Sequence, residues 1–172
     1  TIFPQCEDTE SSVRTAWSPA APDGQRALDI LKDVEQNFST DKNRVYLTGA
    51  SMGGFGVWAH AAADANRWAA IVPICGGGDL DWAEAIGQLP VWCFHGADDR
   101  AVPPEESQRM ISALQAGGAQ PRYSELANVG HEAWNAAYSN DELYVWLLQH
   151  RRGNAAVAPV ATVDGSTAPP ME

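Results

Sequence analysis

The feature that most constrains the fold is a regular alternation of short apolar segments with segments of helical periodicity. Residues 44–48, 70–75 and 90–94 have the length and the β-branched and aromatic content of buried strands, and residues 122–126 form a fourth predicted strand. Helices are predicted at residues 22–38, 57–65, 81–86, 103–116 and 141–151. The apolar side of the last helix is expected to consist of Leu143, Val145, Trp146 and Leu148. This alternation predicts an α/β fold, a mostly parallel sheet flanked by helices on both faces.

The two ends of the chain differ from this central part. We interpret Ile2 and Phe3 as the end of a strand and the polar, proline-rich residues 7–22 as a surface loop. Residues 153–172 are rich in Ala and Pro and show no periodicity, which predicts a flexible tail or linker after one folded domain at residues 1–152. The chain begins with Thr1, so we expect a processed chain or a fragment.

Composition excludes several classes of function. A formal net charge of −11 on 172 residues argues against partners such as nucleic acid or anionic membranes, which require a basic surface. No apolar run approaches the roughly 18 residues of a membrane helix. The three cysteines are too few and too widely spaced for a disulfide framework or a zinc site, and the histidines lack zinc-ligand spacing. We therefore predict no metal and no cofactor.

Residues 49–53, Gly-Ala-Ser-Met-Gly, fit the pattern G-x-S-x-G between a predicted strand and a predicted helix. A strand that reverses into a helix so abruptly forces Ser51 into a strained conformation, and side chains at Gly49 and Gly53 would collide. The helix start then directs the N–H of Met52 toward the serine, where it can stabilise an oxyanion. The motif predicts Ser51 as a nucleophile.

A serine nucleophile needs a base, and four histidines compete for this role. His60 lies too far along the helix that follows Ser51, His95 ends a strand and is expected to be structural, and His150 is expected to be solvated. His131 follows the last predicted strand on a loop, from which a base can reach back over the strand ends. We predict His131 as the base.

The acid that orients this base should follow the strand that ends at His95. Asp98 and Asp99 both satisfy this condition, and the residues alone do not separate them. Glu132 is beside the base in sequence, but on the same loop it is poorly placed to orient the ring.

Several segments together resemble one family. These are Pro4-Gln5-Cys6, residues 44–54 (RVYLTGASMGG), residues 72–79 (VPICGGGD) and residues 94–103 (FHGADDRAVP). They resemble the phospholipase/carboxylesterase-like α/β-hydrolases, most closely the branch of predicted peptidases and prolyl-oligopeptidase-like esterases. The resemblance implies the α/β-hydrolase fold with Ser51 as nucleophile, Asp99 as acid and His131 as base.

The resemblance also reveals a departure. Related hydrolases carry further N-terminal strands and a loop that supplies a second oxyanion N–H, and residues 1–6 contain no such loop. We therefore expect an N-terminally truncated hydrolase core. Loss of one oxyanion donor typically costs about 10²–10³ in rate.

The expected function is that of a serine carboxylesterase that hydrolyses short-chain esters through an acyl-enzyme. The resemblance suggests acetyl or feruloyl esters of polysaccharides as substrates and favours a secreted or periplasmic location. Trp17, Trp134 and Gly77 are candidate substrate-binding residues. The alternatives are a serine peptidase of the prolyl-oligopeptidase type and a non-catalytic hydrolase-like module.

Overall fold

Four parallel strands form the central sheet of the computed structural model, which describes residues 1–7 and 12–153. The strands are β1 (Tyr46–Ala50), β2 (Ala70–Ile74), β3 (Trp92–Gly96) and β4 (Arg122–Leu126). The helices are α1 (Pro22–Asn37), α2 (Met52–Ala63), α3 (Trp82–Ile86), α4 (Glu105–Ala116), α5 (Ala133–Tyr138) and α6 (Asp141–Gln149), with one 3₁₀ turn at Ala65–Arg67.

The strand order is β1-β2-β3-β4, and every neighbouring pair is parallel. Because the strands run in one direction, the segments that follow them meet at one edge of the sheet. Ser51, the glycines 76–78, Asp99 and His131 follow β1, β2, β3 and β4 in that order. The topology alone therefore gathers residues that are 80 positions apart in the sequence.

The two faces of the sheet carry separate hydrophobic layers, as the alternation of side chains along a strand requires. Ile71 and Cys93 belong to the layer packed with α2, α3 and α4. Val72 and Phe94, one position further along, belong to the layer packed with α5 and α6. Both faces are covered by helices, so the predicted α/β architecture is confirmed.

Close backbone contacts bring α2 onto the end of β2. A Cβ atom on Gly54 would lie 2.5 Å from the carbonyl oxygen of Ile74, and Gly76 packs against Gly54 and Phe55 in turn. Such an approach leaves no room for side chains at these two glycines. The fit places the first turn of α2 beside the loop that follows β2.

Three local predictions are wrong. Residues 1–7 form no strand; Phe3 is 87% exposed, and the segment is instead attached to α1, where Glu7 N–H donates to the carboxylate of buried Asp23. Helix α5 was not predicted, because its six residues are too few to show helical periodicity. Val145 and Leu148, expected on the apolar side of the last helix, are more than half exposed, whereas Leu143 and Trp146 are buried.

Within the described ranges, no helix has the length and apolar character needed to cross a bilayer. Apart from Gly153, the tail predicted at residues 153–172 lies outside the described residues.

Candidate active site

Ser51 occupies the reversal between β1 and α2 in a strained backbone conformation, with φ 54° and ψ −117°. A non-glycine residue in such a region costs about 1–3 kcal/mol, which the surrounding structure must offset. The Ser51 N–H donates to the carbonyl of Ile74 at 2.8 Å, and its carbonyl accepts from Phe55 at 3.1 Å. These bonds attach the turn to β2 on one side and to α2 on the other.

The two glycines of the motif are not equivalent. A Cβ on Gly49 would lie 2.5 Å from the carbonyl oxygen of Gly53, so only glycine fits at position 49. A Cβ on Gly53 would meet nothing within 4 Å, and its φ is not in the left-handed region. The predicted collision at Gly53 is therefore wrong. Only position 49 requires glycine, because a side chain there would collide with the backbone of Gly53.

His131 lies between β4 and α5, and three contacts fix its position. The Sγ–H of Cys75 donates to the His131 carbonyl at 3.2 Å. The Trp134 ring meets the imidazole edge-on, with 5.5 Å between ring centroids. Gly96, at the end of β3, packs so closely under the backbone of residues 129–130 that a Cβ would overlap it.

Ser51, His131 and Asp99 form a continuous series of short hydrogen bonds. Nε2 of His131 lies 2.7 Å from the Ser51 Oγ, and Nδ1 lies 2.7 Å from Oδ2 of Asp99. The Asp99 side chain is fully buried, whereas that of His131 is 27% exposed. A proton on Nδ1, directed at the carboxylate, leaves Nε2 free to accept the serine proton.

The structure separates the two aspartates that the sequence left open. Asp98 is exposed, whereas Asp99 turns inward, and its Oδ1 accepts the N–H groups of Ala101 and Val102 at 2.9 Å each. Burial acts to raise the pKa of Asp99, but the bonds from His131 and from these two amides outweigh it and hold the pKa below its usual value. Asp99 is therefore ionised at neutral pH.

Met52 is the first residue of α2, so its N–H has no acceptor within the helix. This amide follows Ser51 directly and lies at the positive end of the helix dipole. Both properties suit a donor to a negatively charged oxygen, and the oxyanion role of Met52 stays a prediction.

The remaining histidines have distinct environments. His60 is buried, and burial lowers its pKa. His150 is not fully solvated, as had been expected, because its ring packs on Trp146 with centroids 4.6 Å apart, and burial lowers its pKa as well. His95 is fully buried, and its Nε2 lies 3.3 Å from the Asp99 carboxylate.

Sequence reasoning missed the contacts that His95 and Cys75 make with the site. The four-residue interval between His95 and Asp99, across a strand end, is the signal that could have indicated the first contact.

The three candidate substrate-binding residues occupy different places. Trp134 contacts His131, as described above. Trp17 packs against α2 at Gly56, and Gly77 packs under the side chain of Glu106 on α4. Only Trp134 among the three has a direct contact with the Ser51–His131–Asp99 series in the described part of the chain, and a substrate-binding role for any of them stays a prediction.

Known proteins are similar to this chain in sequence and in structure. Over 77 residues the chain is 31% identical to a bifunctional acetylxylan esterase/xylanase, XynS20E, of Neocallimastix patriciarum. The matched segment makes up 45% of this chain and 12% of that protein. A crystal structure of a thermostable esterase superposes with a TM-score of 0.75 at 32% identity, covering 79% of this chain and 41% of the other. The chain thus spans less than half the length of either protein.

More distant structures share the fold alone. Arabidopsis thaliana SOBER1 superposes with a TM-score of 0.60 at 21% identity, covering 81% of this chain and 64% of that one. Pyrococcus horikoshii acylaminoacyl peptidase superposes with a TM-score of 0.65 at 14% identity, covering 78% of this chain and 28% of that one. A sequence model of the dienelactone hydrolase family matches residues 5–144, which include Ser51, Asp99 and His131. The chain belongs to the dienelactone hydrolase family of the α/β-hydrolase superfamily.

Proposed function

We propose that this chain is the catalytic core of a serine carboxylesterase that cleaves short-chain carboxylic esters through an acyl-enzyme. The observation that carries the proposal is the series Ser51 Oγ, His131 Nε2, His131 Nδ1 and Asp99 Oδ2, joined at 2.7 Å on each side of the ring. Membership of a hydrolase family and the 32% identity to an esterase support the same class of reaction.

The geometry accommodates both halves of the reaction. As Ser51 Oγ attacks the ester carbonyl, its proton passes to His131 Nε2, and Asp99 stabilises the resulting imidazolium. The carbonyl oxygen becomes an oxyanion that the Met52 N–H can bind. Collapse breaks the bond to the alcohol, which takes the proton from His131. A water molecule, deprotonated by His131, then attacks the acyl-serine, releases the acid and restores Ser51.

We propose acetyl and feruloyl esters of polysaccharides as the substrate class. The resemblance described above suggests it, and the similar protein of Neocallimastix patriciarum is named an acetylxylan esterase. We propose Trp134 as one wall of the space for the leaving alcohol, and its edge-on contact with the His131 ring supports this role.

The test measures hydrolysis of p-nitrophenyl acetate by the wild-type chain, by Ser51→Ala and by Ser139→Ala. Ser139 is exposed at the C-terminal end of α5 and is not part of the Ser51–His131–Asp99 series, so its variant is a matched control for loss of a hydroxyl. Ser51→Ala should lower kcat at least about 10³-fold, since the nucleophile is lost, while Ser139→Ala should keep the wild-type rate. Equal rates for wild type and Ser51→Ala would refute the proposal.

Two further measurements separate the alternatives. A fluorophosphonate probe should label Ser51, located by peptide mass spectrometry; absence of labelling in the wild-type chain would favour a non-catalytic module. Parallel assays with an acyl-peptide p-nitroanilide should give far lower kcat/KM than the ester, and the reverse ranking would favour a peptidase.

A further inference from the structure

His95 lies between the proposed catalytic acid and the helix α4, with no exposed surface on its side chain. Its Nε2 is 2.9 Å from the carbonyl oxygen of Val102 and 3.3 Å from Oδ2 of Asp99. The Val102 carbonyl can only accept a hydrogen bond, and the Asp99 carboxylate, being ionised, has no proton to donate either. Nε2 must therefore carry a proton, and this proton is directed at the turn that holds Asp99.

The other nitrogen of His95 is fixed by Ser107 on α4. Nδ1 lies 2.7 Å from the Ser107 Oγ, which donates to the carbonyl oxygen of Gly76 at 2.8 Å and accepts from Cys93 Sγ–H at 3.3 Å. The ring is thus held at both ends, and Ser107 connects it to the glycine loop after β2. A residue that only filled space would not need two oriented polar contacts, each of which costs free energy if left unmade.

Together these contacts surround the Asp99 carboxylate. The Val102 N–H donates to Oδ1 while the Val102 carbonyl accepts from His95, so His95 stabilises the same turn that supplies two amides to the acid. Oδ2 faces His131 at 2.7 Å on one side and His95 at 3.3 Å on the other. Loss of the His95 proton donor would loosen this turn and, with it, the amides that hold Oδ1.

We propose that His95 is a positioning residue for the reaction: its Nε2–H, bonded to the Val102 carbonyl, holds the turn at residues 99–102 in the place from which Asp99 orients His131. This inference rests on the proposed esterase function. His95 does not touch Ser51 or the reacting atoms, and it acts through Asp99. Displacement of a catalytic group by about 1 Å can cost about 10²-fold in rate.

Two substitutions of His95 separate its two nitrogens. The side-chain amide of Gln reaches the position of Nε2, whereas the shorter amide of Asn reaches only the position of Nδ1. His95→Gln therefore keeps a donor toward the Val102 carbonyl, while His95→Asn keeps the contact with Ser107 and loses that donor. Both variants remove the buried ring, so they control for each other.

Kinetics with p-nitrophenyl acetate should distinguish the variants. We expect His95→Asn to lower kcat about 10- to 100-fold with little change in KM, and His95→Gln to stay within about threefold of wild type. Thermal unfolding of both variants supplies the stability comparison. If His95→Gln loses as much activity as His95→Asn, or if His95→Asn retains wild-type kcat, the proposal is overturned.

NMR of the His131 Nδ1–H, which donates to Asp99, tests the same idea without turnover. The groups that face His95 are Asp99 and Cys75 at the strand ends, Ser107 on α4 and Glu125 on β4. We expect the Nδ1–H resonance to shift upfield in His95→Asn, because a less firmly held carboxylate makes a longer hydrogen bond. In His95→Gln it should stay near wild type; identical resonances in all three proteins would contradict the inference.

The wild-type protein allows one measurement that needs no variant. Long-range ¹H–¹⁵N correlation should show His95 with its proton on Nε2. A neutral ring protonated on Nδ1 alone would overturn the proposal, even where His95→Asn failed to fold. These NMR results do not depend on esterase activity: if wild type and Ser51→Ala prove equally inactive, the proposed function fails while the role of His95 in holding Asp99 is still decided.

Discussion

Asp98 and Asp99 are adjacent in the sequence and have opposite environments. Asp98 is exposed and donates its backbone N–H to Val129, whereas Asp99 is buried and bonded to His131. The direction of the side chain, set by the turn at residues 99–102, therefore decides which carboxylate can stabilise the imidazolium. Resemblance favoured Asp99 as the acid, and its burial and its hydrogen bond with His131 support that assignment.

Asp99→Asn should lower kcat for p-nitrophenyl acetate by up to about 10⁴-fold, because an amide stabilises the wrong imidazole tautomer and no cation. Asp98→Asn should remain within about twofold of wild type, because its side chain is exposed. The two variants make the same chemical change one position apart. Equal losses in both would contradict the assignment of the acid.

The two glycines of the serine turn, Gly49 and Gly53, should respond differently to substitution by alanine. Gly49→Ala should destabilise the fold, since its Cβ would meet the Gly53 carbonyl at 2.5 Å. Gly53→Ala should be neutral or stabilising by up to about 1 kcal/mol, because Ala is the better helix former and the space is open. Chemical denaturation measures both free energies of unfolding. A destabilised Gly53→Ala with an unaffected Gly49→Ala would be inconsistent with this packing.

At the scale of elements, the site depends on how closely the loop after β4 rests on the end of β3. Gly96 lies under the backbone of residues 129–130, and His131 follows immediately. The same closeness recurs between Gly54 on α2 and Gly76 after β2. Glycines at strand ends thus set the distances between loops that each carry one part of the site.

Gly96→Ala should lower kcat about 10²-fold, because a Cβ would displace the loop and move His131 away from Ser51 and Asp99. Gly117→Ala is a suitable control, since its Cβ would meet the nearest atom at 3.4 Å, an ordinary contact. Fluorophosphonate labelling rates, together with kcat, report the alignment. Wild-type labelling of Gly96→Ala would show that the loop tolerates the displacement.

For the whole molecule, buried histidines make stability depend on pH. Burial lowers the pKa values of His60 and His150 below the ordinary value of 6.5. The unfolded chain therefore takes up protons at a higher pH than the folded chain does, and stability present above about pH 6.5 is lost as the pH falls. The lowered pKa values of Asp99 and Glu106 add a further loss in more acidic solution.

We expect the free energy of unfolding, measured with urea, to fall between pH 7.5 and pH 5.5. His150→Phe should reduce this fall, because it removes one titrating group and keeps a ring against Trp146. The substitution sacrifices little polar contact, since Nε2 of His150 is buried without a hydrogen-bond partner among the described residues. An unchanged pH dependence in His150→Phe would show that its ring titrates alike in both states.

Much of the fold could be predicted because its signals are local. The periodicity of residues 22–38 and the apolar segment at 70–75 depend on side chains a few positions apart, and α1 and β2 lie where they were expected. The strand at residues 2–3 was not formed, because a strand needs a neighbour to pair with. The short helix α5 gave no signal, since six residues cannot show a helical period.

Local patterns were enough to predict a serine turn between a strand and a helix and one histidine after the last strand. Three other features emerge only in the folded chain: Asp99 rather than Asp98 turns inward, Gly49 rather than Gly53 bears the steric constraint, and His95 lies beside Asp99. These outcomes depend on distances between separate loops. Such distances arise only when β1, β2, β3 and β4 align in parallel and bring their carboxyl ends to one edge.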